Sequence, residues 1–119
     1  MMSVREVEPP FRIAVVGGAQ ASKVECELAQ DLGRQLAGSG ALVVCGGGGG
    51  VMEAVAQGAT EAGGLVIGIL PGSDSKSANP WIGIPLATGM GEARNALVVQ
   101  GAEAVISVGG EWGPLSEIA

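Results

Sequence analysis

Histidine and tyrosine are absent from this 119-residue chain. Without imidazole, the ordinary Cys/His zinc constellations cannot be assembled, and no metal site is expected. The aromatic residues are Phe11, Trp81 and Trp112, too few and too scattered for a platform on which single-stranded nucleic acid stacks. Cations are scarce too: 6 Lys and Arg stand against 12 Asp and Glu, a formal charge of −6. No basic cluster occurs, so nucleic-acid binding lacks its electrostatic term and no such partner is expected. No apolar run approaches the length of a membrane span, and no membrane partner is expected. The two cysteines, Cys26 and Cys45, lie too far apart for a CxxC pair; reduced thiols in a cytoplasmic protein are the expectation. Ala19-Gln20-Ala21 has the form of a signal cleavage site, but Glu6 and Glu8 precede it and the apolar stretch before it, Ile13 to Val16, is short, so it is not read as one.

Glycine is abundant: 22 residues, falling between apolar runs in a chain that is 47% hydrophobic. That composition suits one modest folded domain. Residues 1–10, with Pro9-Pro10, read as an irregular arm, and 11–119 as the domain. Strands are predicted at Arg12 to Val16, Ala41 to Cys45, Leu65 to Leu70 and Ala104 to Val108, with a short one at Trp81 to Leu86. A capping box at Ser22-Lys23-Val24-Glu25 opens a first helix, in which Val24, Leu28, Leu32 and Leu36 are expected to form the buried face. A second helix runs from about Val51 to Ala62, burying Val51, Met52, Val55 and Ala59, and a third passes through Ala93, Leu97 and Val98. Apolar strands alternating with helices predict an α/β fold: a Rossmann-like, doubly wound parallel sheet. The last element holds about five residues after Pro114, so the domain is expected to be truncated at its C-terminus, with a helix and a strand missing.

Ligands of such sheets collect beyond the carboxyl ends of the strands. Those ends carry Gly17-Gly18, Gly46 to Gly50, Pro71-Gly72 and Gly109-Gly110. Five consecutive glycines at a strand-to-helix junction allow backbone N–H groups to surround an anion such as phosphate. A flexible tight turn is the alternative. Arg94 offers a planar fork for phosphate or a leaving base; otherwise it is a solvated helix residue paired with Glu92 or Glu103. Asn79 and Thr88 fit either a pocket lining or a surface loop, and Glu53 caps its own helix.

Three segments, Cys45-Gly46-Gly47-Gly48-Gly49-Gly50-Val51-Met52-Glu53, Thr88-Gly89-Met90-Gly91-Glu92-Ala93-Arg94-Asn95 and Gly109-Gly110-Glu111-Trp112-Gly113-Pro114-Leu115-Ser116-Glu117, resemble the LONELY GUY (LOG)-like Rossmann superfamily. Some of its members carry a lysine-decarboxylase label. The resemblance spans Ile13 to Ala119 and is nearest to the branch related to molybdenum-cofactor carrier proteins. It implies a homodimer that binds a phosphorylated, nucleotide-like small molecule. Characterised LOG enzymes split nucleoside 5′-monophosphates into base and ribose 5-phosphate, whereas the carriers bind a phosphorylated pterin without turnover. The strand-end glycines and the resemblance together predict that the ligand is held by Gly17, Gly18, Gly46, Gly47, Gly48, Gly49, Gly50, Met52, Thr88, Arg94, Asn95, Gly109, Gly110 and Gly113, and the resemblance implies Glu117 and Arg94 as the catalytic pair if the protein is a hydrolase. Asn95 stands where the enzymes carry lysine, Glu111 where they carry glycine, and Pro114 where they carry threonine, which removes a hydroxyl and an N–H. No resident cofactor is expected. Pyridoxal phosphate needs a Schiff-base lysine, and Lys23 and Lys76 lie in a capping box and a polar loop. A dinucleotide fingerprint and a Walker A loop are also absent after the first two strands. Two expectations stay open: a phosphoribohydrolase, and a non-catalytic binder or carrier of a phosphorylated cofactor such as the pterin.

Overall fold

Neighbouring strand residues are buried on opposite sides of the sheet, which is what demands helices on both faces. In the computed structural model, which describes residues 10–109, Val15, Val43, Cys45 and Val66 join one apolar cluster, while Ala14, Val44 and Ile69 join another. The elements in chain order are β1 (Arg12–Gly17), α1 (Lys23–Gly38), β2 (Leu42–Cys45), α2 (Val51–Glu61), β3 (Val66–Leu70), β4 (Ile84–Ala87), α3 (Arg94–Gln100) and β5 (Ala104–Val108). One-turn 3-10 segments occur at Ser75–Ser77 and Gly91–Ala93. All strand pairs are parallel, in the order β4-β3-β2-β1-β5. This is the expected Rossmann-like, doubly wound sheet in a single domain, with its order reversing at β1, where β5 returns to the far side.

Helices α1 and α2 cover the first face. Val51, Val55, Ala56 and Ala59 of α2 sit in its cluster with Ala29 of α1. The second face is covered more thinly, by Val98 of α3 over Ala14, Val44 and Ile69. Ile84 and Leu86 pair in register with Ile67 and Ile69, so they look toward the α3 side. They remain 37% and 47% exposed on the edge strand, and Met90 (48%) and Leu97 (37%), in the turn and helix that follow, are exposed as well.

The expected buried face of α1 is partly wrong. Val24 and Leu28 are 64% and 60% exposed, whereas Ala29 and Gly33 are buried. A four-residue step overshoots one 3.6-residue turn by about 40°, so three such steps carry the row a third of the way round the helix. Leu32 and Leu36 still reach the core; Val24 and Leu28 do not. Contact with α2 is made instead through glycines. A Cβ on Gly33 would collide with the carbonyl oxygen of Val55, and one on Gly58 with that of Gln30. The two helices therefore touch backbone to backbone. The capping box is present as predicted: Glu25 N–H donates to Ser22 Oγ (3.1 Å) and Ser22 N–H donates to Glu25 Oε1 (2.9 Å).

The strand expected from Trp81 begins only at Ile84. Residues 81–83 are held elsewhere: Trp81 N–H donates to Asn79 Oδ1 (3.0 Å), Thr60 Oγ1 donates to the Trp81 carbonyl (2.9 Å), and Gly83 N–H donates to the Val66 carbonyl (3.1 Å). At the amino ends of the strands, Arg12 clips β1 to β5. Its Nη2 donates to Glu103 Oε1 at 2.8 Å, and this bonding holds the Glu103 carboxyl below its ordinary pKa. Glu103 is thus not a partner of Arg94. The N-terminal arm up to residue 9 and the predicted C-terminal elements lie outside the described residues.

Gly58→Ala forces the α1–α2 crossing apart and is expected to destabilise the fold by about 1–3 kcal/mol. Leu28→Gln should change stability by less than about 0.5 kcal/mol. Urea unfolding midpoints test both. Equal costs for the two would contradict the glycine-mediated contact.

Candidate functional site

Four glycine-bearing turns were expected to converge at the carboxyl edge of the sheet, and the two central ones do. Gly50 lies against the β1–α1 turn: Val51 N–H, the first donor of α2, bonds to the Gly18 carbonyl at 3.1 Å. A Cβ on Gly50 would meet the carbonyl oxygens of Gly18 and Ala19, and its φ of 62° is itself unsuited to a side chain. Gly17 is packed against Val51 and the Val108 carbonyl, which brings the start of α2 and the end of β5 together. Gly109 lies beside the Glu25 carboxylate.

The five glycines have separate reasons to be glycine. Gly46 leaves room for two side chains arriving from opposite faces, the guanidinium of Arg94 and the sulfur of Met52. Gly47 has φ 79° and packs against Leu70. Gly48 is bounded by the flexible end of Met52, and a Cβ on Gly49 would meet nothing nearer than the Ala19 carbonyl oxygen at 3.7 Å. Protein packing therefore accounts for Gly46, Gly47 and Gly50. It leaves Gly49 unexplained.

Carbonyls rather than amides of this loop are consumed by the protein. The Gly46 carbonyl accepts from Arg94 Nη1 (2.6 Å), that of Gly47 from Asn79 N–H (2.9 Å), and that of Gly48 from Asn79 Nδ2 (2.8 Å). Among the described residues, no acceptor takes the N–H of Gly48, Gly49 or Gly50. The Gly47 amide faces the Cys45 thiol, whose pKa burial pushes up to about 11, with Gly47 and Arg94 opposing the rise. Cys45 is therefore a thiol, not a nucleophile.

Arg94 is neither a solvated residue nor paired with Glu92. It is 8% exposed, and its Nη1 also donates to the Ile69 carbonyl at 2.9 Å. The guanidinium thus ties together the carboxyl ends of β2 and β3 from the first turn of α3. Its Nε has no partner, and no carboxylate among the described residues forms an ion pair with it. A buried charge without a counter-charge is costly, so the site is electrostatically suited to an anion.

Thr88 is engaged in holding its own turn: Oγ1 donates to the Leu70 carbonyl (2.6 Å) and accepts from Met90 N–H (3.1 Å). Asn95 is half-buried and donates to Glu92 (3.2 Å). Met52 is core that also floors the glycine loop. Gly110, Glu111, Gly113, Pro114 and Glu117 lie outside the described residues. Asn79, left open between pocket and surface loop, proves to grip the glycine run; an Asn-Pro pair in a polar loop carries no sequence signal for that. On the helix side of the loop, a shallow cavity of about 220 Å³ is lined by Cys26, Gln30, Gly50, Glu53, Ala54 and Gln57. No group of three or more metal-ligating side chains occurs among the described residues, and none of their helices is long and apolar enough to cross a membrane.

A parallel sheet reversing at β1, with a glycine run opening α2 and an arginine beneath it, belongs to the LOG-like Rossmann class. Within that class the chain belongs to the SLOG cluster4 family, whose sequence model matches residues 10–119. It is 43% identical over 109 residues to an uncharacterised protein of Archaeoglobus fulgidus, covering 92% of this chain and 72% of that one. The molybdenum cofactor binding protein of the phototrophic bacterium Rippkaea orientalis superposes with a TM-score of 0.89 at 37% identity, over 94% of this chain and 70% of that one. The molybdenum cofactor carrier protein of Chlamydomonas reinhardtii gives 0.83 at 33% identity, over 92% and 68%.

Arg94→Met leaves the Gly46 and Ile69 carbonyls without their donor and is expected to cost about 1–3 kcal/mol. Gly46→Ala should destabilise the wild type by displacing the guanidinium, and should cost at least about 0.5 kcal/mol less in the Arg94→Met background. A double-mutant cycle in urea reads the coupling; strict additivity would refute the contact.

Proposed function

We propose that this protein binds a phosphorylated, nucleotide-like small molecule at the 46–50 loop, and that it acts as a non-catalytic binder or carrier of a phosphorylated pterin such as the molybdenum cofactor. The observation that carries this reading is the pairing of acceptor-free amides at Gly48 and Gly49 with a buried guanidinium that lacks a counter-charge. A phosphate oxygen would satisfy the former and balance the latter. The likeness to the Rippkaea and Chlamydomonas proteins supports a pterin as cargo. The phosphoribohydrolase reading rests on Glu117 and on Arg94 meeting substrate. Arg94 Nη1 is occupied by two strand-end carbonyls, which favours a supporting role for it and therefore the carrier.

Gly49 provides a clean test, because a methyl group there fits the protein and blocks only what comes from outside. Gly49→Ala is expected to leave the melting temperature unchanged and to weaken binding of adenosine 5′-monophosphate, used as probe, by about tenfold or more. Calorimetry measures this, and chromatography follows free base. The carrier reading predicts saturable binding without base release. Release that disappears in Glu117→Ala would overturn it in favour of hydrolysis, and equal binding by Gly49→Ala would overturn the loop as the site.

We also infer that the protein works as a homodimer closed over its α3 side. Ile84, Leu86, Met90 and Leu97, on β4 and in the turn and helix that follow it, are exposed apolar residues, and residues 80–91 carry no charged side chain. In a chain of charge −6, such a neutral stretch is where a second copy approaches without like-charge repulsion. Pro85 removes a ladder donor from β4, which favours face packing over strand addition. Sedimentation should give a dimer for the wild type and a monomer for Leu86→Lys. A wild-type monomer would refute this.

A further inference from the structure

We propose that Asn79 is the positioning residue of the glycine loop: it turns two successive peptide units so that their N–H groups face the ligand side. The inference rests on the reading that this loop holds an anion. Asn79 precedes Pro80, and a residue before proline is confined to extended backbone. In that conformation its own N–H donates to the Gly47 carbonyl (2.9 Å) and its Nδ2 donates to the Gly48 carbonyl (2.8 Å). Its Oδ1 meanwhile accepts from Trp81 N–H at 3.0 Å. The amide orientation is determined by this pattern, since the reverse would set oxygen against oxygen and N–H against N–H.

The consequence follows from peptide planarity. In a trans peptide unit the C=O and the following N–H point in opposite directions, and no cis bond interrupts this loop. With the carbonyls of Gly47 and Gly48 both held on the Asn79 side, the N–H groups of Gly48 and Gly49 are directed to the opposite side. These are the amides that have no acceptor among the described residues. Glycine would otherwise let both units rotate freely. One residue of the β3–β4 link, through its main-chain N–H at Gly47 and its side-chain amide at Gly48, thus pre-orients a two-amide anion cradle that the sequence of the loop itself leaves undefined, which lowers the ordering cost of binding.

Titration of the isotopically labelled full chain with inorganic phosphate, following the Gly48 and Gly49 amide resonances, tests the assignment. Asn79→Ala removes the Nδ2 donor without adding charge, and is expected to weaken phosphate binding about tenfold. Thr60→Val removes the neighbouring tie of the same link, from Thr60 Oγ1 to the Trp81 carbonyl, and is expected to bind phosphate as the wild type does even where its melting temperature falls as far. Should Asn79→Ala fail to fold, Asn79→Gln, whose longer side chain misplaces the donor, is expected to show the same loss. Equal weakening by Asn79→Ala and Thr60→Val, or undiminished affinity in the Asn79 variants, overturns the proposal while leaving the loop as the site. Absence of any amide shift in the wild type, with phosphate and with adenosine 5′-monophosphate alike, overturns the loop reading and the proposal with it.

Discussion

The guanidinium of Arg94, donating to the carbonyls of Gly46 and Ile69, is the interaction on which the carboxyl edge of this sheet depends. It begins on the helix of one face and ends at the start of the loop that feeds the helix of the other. Because it fills the space where a Gly46 side chain would lie, the first residue of the glycine run is dictated from 48 positions away. The same contact buries a positive charge, and among the described residues no carboxylate neutralises it. Structural support and an anion-seeking field thus come from one side chain.

Around that contact the loop is organised by its carbonyls. Arg94 takes one and Asn79 takes the next two, so the chain's own hydrogen bonding lies on one side and its amides are left for the other. Strand-to-helix phosphate loops work through such oriented N–H groups rather than through cationic side chains. This suits a chain of charge −6, in which, among the described residues, the buried Arg94 is the cation that reaches the loop. Glu53 in the first turn of α2 lowers the tolerance for a loosely placed anion and favours one held closely by main chain.

The proposed carrier role draws on two separate supports, the likeness to cofactor-binding relatives and the hydrogen bonding of this loop. A carrier needs affinity and shielding, without the transition-state complementarity that turnover demands. The proposed cradle, backed by an arginine already engaged with two carbonyls, would meet that need. Hydrolysis would in addition require a carboxylate at the anomeric carbon, a role that the family resemblance places on Glu117.

The alternation of apolar strands with helices, the capping box at Ser22, the core face of α2 and the position of β5 were all legible in the chain, because each is written in local periodicity or in side-chain-to-backbone bonding within a few residues. The glycine run was likewise legible as a strand-to-helix junction from its place between two apolar segments. Which glycine serves which end was not legible. Gly46 answers to Arg94 and Gly50 to the β1–α1 turn, while Gly33 and Gly58 serve a helix crossing. The burial of Arg94, the grip of Asn79 and the exposure of Val24 and Leu28 were equally undecided. The sequence by itself determined the fold class and the address of the loop, since both follow from short-range pattern. The direction in which its amides point was decided only by tertiary structure, because it is set by hydrogen bonds from residues brought alongside when the sheet and its connections assemble.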